Sequence, residues 1–106
     1  MNYSTIELLS LLAMAHFVGD FVLQSDRMAI EKCPGKDKTL HWSWWLTAHS
    51  STHGLFVSLI TGMPILGFCE FVAHFIIDWM KPKYSLSLSL DQSLHLLCKL
   101  LWLMFI

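Results

Sequence analysis

Charge is scarce in this sequence. Seven Lys or Arg and eight Asp or Glu make up 14% of the 106 residues, against about a quarter in a soluble domain. The two signs nearly balance, at a net charge of -1. No basic excess is left to neutralise phosphates, so nucleic acid is not expected as a partner. Cysteine is sparse as well. Cys33, Cys69 and Cys98 are odd in number and form no CxxC pair, which leaves free thiols and no disulfide framework. No Lys or Arg precedes the first apolar run, and that run holds His16 and Asp20. It is therefore not read as a secretory signal. Internal repeats and low-complexity tracts are missing too, apart from a Ser-Leu alternation at 85–90. What the chain has instead is apolar surface, with 55% hydrophobic residues and a mean hydropathy of +0.53. The length supports a single domain. A bilayer is the simplest home for so much apolar surface.

Four apolar segments stand out, from about Thr5 to Gln24, Trp44 to Thr61, Pro64 to Met80 and Leu90 to Ile106. Each is about 17–20 residues, at the short end of what crosses a hydrocarbon core of about 30 Å. They are apolar on most faces, unlike the half-polar helices of a soluble bundle. The expected fold class is therefore all-α: a polytopic membrane protein with four transmembrane helices in a bundle, one domain over 1–106. Pro34-Gly35 marks a turn in a polar loop from Ser25 to Thr39. Gly62-Met63-Pro64 is a tight link that makes the second and third segments antiparallel neighbours, with Pro64 at a helix start. Ser89 followed by Gln92 fits a capping box that would start the last helix near Leu90. The alternation just before it is open to a second reading, as a short extended stretch.

The loops carry orientation. Arg27, Lys32, Lys36 and Lys38 lie between the first two segments, and Lys81 and Lys83 between the last two, six of the seven basic residues. The positive-inside rule then places loops 25–43 and 81–89 in the cytoplasm and both termini outside. Trp42, Trp44, Trp45 and Trp79 fall at the same boundary, as an aromatic belt would.

Chemistry enters through spacing. The first segment holds His16 and Asp20, the second His49 and His53, the third Glu70, His74 and Asp78, and the fourth Asp91 and His95. Residues four apart share a helix face about one turn apart. Imidazole and carboxylate donors suit zinc, manganese or iron. The pairs His16/Asp20, His49/His53, His74/Asp78 and Asp91/His95 also fall at one depth, in the cytoplasmic half. The spacing does not force that agreement, and one shared site would require it. Ionisable groups near the centre of a spanning helix cost at least about 2.5–3.5 kcal/mol each, unless paired, hydrated or bound to a metal. The expected ligands of one or two divalent ions, zinc first and manganese or iron next, are His16, Asp20, His49, His53, His74, Asp78 and His95. Glu70 and Asp91 are expected as general base or as groups that orient a ligand. Simpler readings stand beside these. A lone His is often a hydrogen-bonded core residue, Asp91 suits a helix N-terminus, His41 lies at the interface, and Lys99 either snorkels, meets a carboxylate or holds an anionic substrate. The four pairs can also form a metal-free polar network or proton path.

The motifs also resemble a known family. H16-F-V-G-D-F-V-L-Q24, M28-A29, K32, H49-x-x-x-H53, E70-F-V-A-H-F-I-I-D-W-M-K81 and D91-Q92-S-L-H95 resemble a family of small bacterial and phage membrane proteins, domain of unknown function 3307. The likeness covers nearly the whole chain and implies a bacterial inner-membrane location. More loosely, HxxxD and HxxxH on apolar helices look like membrane-bound metal-dependent hydrolases, themselves similar to all-helical zinc phospholipases. Three functions stay open at this point. One is a metal-dependent hydrolase acting on a phosphoester or lipid-linked phosphate at the cytoplasmic leaflet. The second is metal-ion or proton transport or sensing, which would need a homo-oligomer. The third is a metal-stapled module that contacts a host or partner protein. Membrane lipids are partners in all three.

Overall fold

The computed structural model describes residues 3–106, and these are helical, with no strand among them. Helix α1, Thr5–Phe17, begins with a capping box: the Glu7 amide donates to Ser4 Oγ at 3.1 Å, and the Ser4 amide to Glu7 Oε1 at 2.9 Å. These bonds satisfy two donors that a helix start leaves free. The chain then widens into a π-helical turn, Val18–Val22, marked by the i to i-5 bond from the Leu23 amide to the Val18 carbonyl. Helix α2, Asp26–Glu31, is short and capped by Ser25. Helices α3, Trp42–Thr61, and α4, Pro64–Lys83, form an antiparallel hairpin. Gly62 ends α3 in the left-handed region at a φ of 70°, where a glycine is favoured. Pro64 opens α4, where its missing amide costs nothing. Helix α5, Leu88–Leu103, follows.

Small residues let α3 and α4 approach closely. A Cβ on Gly54 would lie 2.8 Å from the Gly67 carbonyl oxygen, and one on Gly67 would overlap Ser58 Oγ. Helix α1 packs against α3 and α5, and α5 against α4, which closes a bundle of four long helices. The bundle measures 45 by 23 by 22 Å. Helix α2 leans on α3, at the end where the 25–41 and 84–87 connections meet.

Several boundaries depart from the sequence reading. The first helix does not run evenly from 5 to 24, because the π turn interrupts it. The polar loop contains α2, which the Pro34-Gly35 turn signal overshadowed. Helix α3 starts two residues earlier than expected, and α4 continues through Pro82 to Lys83. The last helix is capped by Ser87, whose Oγ accepts from the Leu90 amide at 3.1 Å, so the Ser89–Gln92 box does not form. It ends at Leu103 rather than Ile106, and the Ser-Leu alternation has no extended pairing.

The burial pattern is inverted relative to a soluble bundle. Among the described residues, six hydrophobic ones are buried, against twelve polar or charged ones. Ile6, Val22, Leu59 and Trp44 are each at least 69% exposed. Among the described residues, one helical segment, Thr5–Val22, is long and apolar enough to cross a membrane. Helices α3 and α4 have the length, at 20 residues each, or about 30 Å. The imidazoles and carboxylates along them dilute their apolar character.

Candidate metal centre

Each long helix contributes one or two turns to a single polar layer. His16 ends α1 and Asp20 sits in the π turn; His49 and His53 come from α3, His74 and Asp78 from α4, and Asp91 and His95 from α5. All of them, and Glu70 behind, are buried. The layer exists because i,i+4 spacing aims both members of each pair inward, and because all four pairs lie at the same depth.

Asp20 Oδ1 is the focus of the first cluster. It lies 3.0 Å from His49 Nε2, 2.8 Å from His53 Nε2 and 3.4 Å from His74 Nε2. Asp78 Oδ2 lies 3.3 Å from the same nitrogen of His49 and 3.4 Å from that of His74, and these two nitrogens are themselves 3.3 Å apart. Facing imidazole nitrogens at that distance share at most one proton. His53 Nε2 approaches Asp20 without hydrogen-bond geometry, despite its short distance. Tetrahedral donors around a zinc at about 2.0–2.1 Å stand about 3.3 Å from one another. The residues therefore fit a divalent ion: Asp20, His49, His53 and His74 bring ligand atoms within 4.8 Å of one another.

The other carboxylate oxygens face a second set of groups. Asp78 Oδ1 lies 2.9 Å from His95 Nε2, and Asp91 Oδ1 lies 3.4 Å from it. The Gln92 amide donates to Asp20 Oδ2 at 2.9 Å and to Asp91 Oδ2 at 3.0 Å, and accepts from His16 Nε2 at 2.8 Å. Asp20, Asp91 and His95 again have ligand atoms within 4.8 Å of one another.

Glu70 supports the layer from the apolar side. Its Oε2 accepts from His74 Nδ1 at 2.9 Å, which turns the other ring nitrogen toward the cluster. Its Oε1 accepts from Trp102 Nε1 at 2.9 Å and pairs with Lys99 Nζ at 2.8 Å. This carboxylate–histidine arrangement fixes tautomer and ring orientation, as in most histidine metal sites. Lys99 is 1% exposed and meets the Glu70 carboxylate, so it does not snorkel.

Backbone shape places the remaining pieces. A Cβ on Gly19 would stand 2.6 Å from His53 Cε1, so a side chain there would meet that ring. Such turns often mark functional sites. The Gln24 side chain donates to the Asp20 carbonyl at 3.0 Å, tying the end of the turn.

The layer opens at one end into a cavity of about 430 Å³. Asp20, Asp78, Asp91 and Gln92 line its depth; Lys32, Lys36 and Lys81 line its walls. Lys32 Nζ donates to Asp78 Oδ2 at 2.9 Å, and Lys81 Nζ lies 3.5 Å from Asp91 Oδ2. Glu31 holds the loop that follows α2. It accepts from the Lys38 and Thr39 amides at 2.6 Å each and from Thr39 Oγ1 at 3.0 Å. The backbone bonds from Thr39 and Lys38 hold its carboxyl down to about 2.

All seven expected ligands thus meet in one layer. Of the two expected proton-transfer groups, Asp91 lines the cavity, whereas Glu70 is closed off behind His74. His41 stays outside, exposed, and caps α3. Sequence reasoning misses Lys32, which reads as a loop anchor, Gln92, which reads as a capping residue, and Gly19. The adjacency of Gln92 to Asp91, and the position of Gly19 between His16 and Asp20, are the signals that could have found them.

No curated protein and no solved structure matches the chain. The family described as "Protein of unknown function (DUF3307)" matches residues 8–106. The resemblance carried by the polar motifs therefore extends over the helices that build the layer, and the chain belongs to the DUF3307 family.

Proposed function

We propose that this chain is a multi-pass protein of the bacterial inner membrane that hydrolyses a phosphoester, a lipid or lipid-linked phosphate reached from the cytoplasmic leaflet, using divalent metal, zinc first, held in the His–Asp layer. One joint observation carries the reading. Four His and carboxylate pairs meet in a buried layer, and its carboxylates form the depth of a lysine-walled cavity.

The membrane placement is supported by the inverted burial pattern. An apolar exterior suits lipid, and ionisable groups in such helices face the bundle interior and mark functional sites. Lys32, Lys36 and Lys81 share the cavity end with Arg27, Lys38 and Lys83, which fits a cytoplasmic position. The hydrolase reading rests on what the cavity can hold. A divalent ion in the layer supplies a Lewis acid and a water acidified toward neutral pH. The lysines would draw an anionic headgroup into the cavity, over the carboxylates. Glu70 keeps the His74 ring in register, which makes it a positioning residue. Asp91, at the cavity depth, can take a proton or hold a cation. The apolar packing behind Glu70 keeps water from reaching the layer through the bundle.

The test is turnover by metal-loaded, detergent-purified protein on a panel of phospholipids and lipid-linked phosphates. Wild type should release a phosphate-bearing product. His49→Ala and Asp20→Ala should remain helical by circular dichroism yet lose turnover by at least a hundredfold. Metal-loaded wild type inactive on the whole panel, or equal turnover in both variants, would remove hydrolysis from the account. Cysteine labelling in spheroplasts should find Cys33 reachable from the cytoplasmic side only; labelling from outside would overturn the orientation.

A further inference from the structure

We infer that the layer holds two divalent ions and that Asp20 and Asp78 bridge them. The inference rests on the metal reading above and deepens it. The two oxygens of each aspartate face different partners. Asp20 Oδ1 meets His49, His53 and His74, whereas its Oδ2 meets Gln92 at 2.9 Å and His16 at 3.5 Å. Asp78 Oδ2 meets His49 and His74 and accepts from Lys32 Nζ at 2.9 Å, whereas its Oδ1 meets His95 at 2.9 Å. A carboxylate serving one ion would not need to divide its oxygens between two sets of imidazoles. Two ions about 3.5–4 Å apart, clamped by shared carboxylates, would use both oxygens of each.

The second position has its own donors. Asp91 and His95 group there with Asp20, and His95 also groups with His16 and His74. In this structure the Gln92 amide nitrogen donates to Asp20 and Asp91 together, so two carboxylates already converge there on one electropositive group. Asp91 Oδ1 is buried and lacks a hydrogen-bond partner among the described residues. Three carboxylates, Asp20, Asp78 and Asp91, face the layer, with Lys32 on Asp78 at 2.9 Å and Lys81 on Asp91 at 3.5 Å, while Glu70 is matched by Lys99. Two dications would leave the layer positive, which suits an anionic substrate entering between the lysines.

Stoichiometry and spin coupling test this directly. Purified protein is stripped, reloaded with Mn²⁺ and dialysed; bound metal is counted per chain by mass spectrometry and examined by electron paramagnetic resonance. Two ions per chain and an exchange-coupled spectrum are expected. His95→Ala should keep one ion and show an uncoupled six-line signal, while Asp20→Asn should fall below one. The wild-type spectrum alone decides the matter if a variant fails to fold. One ion per chain in wild type, or two without coupling, overturns the bridged pair but leaves the metal reading standing. No ion at all overturns both.

Discussion

The two halves of the bundle bury opposite chemistry. Toward the Gly62 turn, Leu12, Val57, Leu66 and Trp102 form an apolar cluster flanked by Ile60 and Met63. Toward the other end, five imidazoles and three aspartates fill the same cross-section. The first half is held by shape, with Gly54 and Gly67 in backbone contact. The second is held by donor and acceptor matching across four helices. Apolar residues of similar volume would often stabilise a fold as well as buried ion pairs do. The polar half is therefore weak evidence for stability, and a bound ion would account for its expense. Glu70 sits where the halves meet, with Lys99 and Trp102 on one side and His74 on the other.

Breaking that junction should have the largest effect. Glu70→Ala leaves Lys99 buried without its counter-charge, which should cost about 3–5 kcal/mol. Unfolding by denaturant in detergent measures it, and the double variant Glu70→Gln/Lys99→Met should recover most of the loss. A loss as large in the double variant would show that packing, not charge, governs the site.

The apolar half can be weakened separately. Leu12→Ala should cost about 2–5 kcal/mol through the cavity it leaves, with metal affinity unchanged. A parallel fall in affinity would mean that the halves are coupled beyond Glu70.

Gly19→Ala probes the polar half alone. The added methyl meets the His53 ring, so metal affinity should fall about 10–100-fold, the usual effect of disturbing a ligand's support. Isothermal titration with Zn²⁺ reads the change, and unchanged affinity would take His53 out of the ligand set.

The smallest effect concerns the loop over the cavity. The folded Glu31 carboxyl lies below its ordinary value of 4.5, at about 2. The stability it lends is therefore full above about 4.5 and is lost as pH falls toward 2. Carbon NMR of Glu31 should show it ionised at pH 4, with the Lys38 and Thr39 amides still protected. Titration near 4.5 would show the loop undocked.

How much of the molecule is legible in its sequence follows from which forces are local. The i,i+4 spacing is a local property of helices, so sequence alone places His49/His53 and His74/Asp78 on shared faces. Their common depth follows from counting residues to the loops. The π turn cannot be read in the same way. It sets Gly19 against the His53 ring, a contact between residues 34 positions apart. Gln92 resembles a capping residue because Ser89 stands three residues before it; Ser87 takes that role in the fold, which leaves Gln92 free to reach Asp20 and Asp91. Lys32 resembles any other loop cation, and only the turn of α2 brings it to Asp78.

Metal content with and without chelation addresses the central claim most directly. Protein purified gently in detergent, in buffers free of chelator, should carry a divalent metal, and stripping it should lower the melting temperature. Adding Zn²⁺ at about 1,000 times its dissociation constant should return about 4 kcal/mol of stability. Protein that purifies metal-free, and whose melting is indifferent to both chelator and Zn²⁺, would contradict the reading of the His–Asp layer as a metal centre.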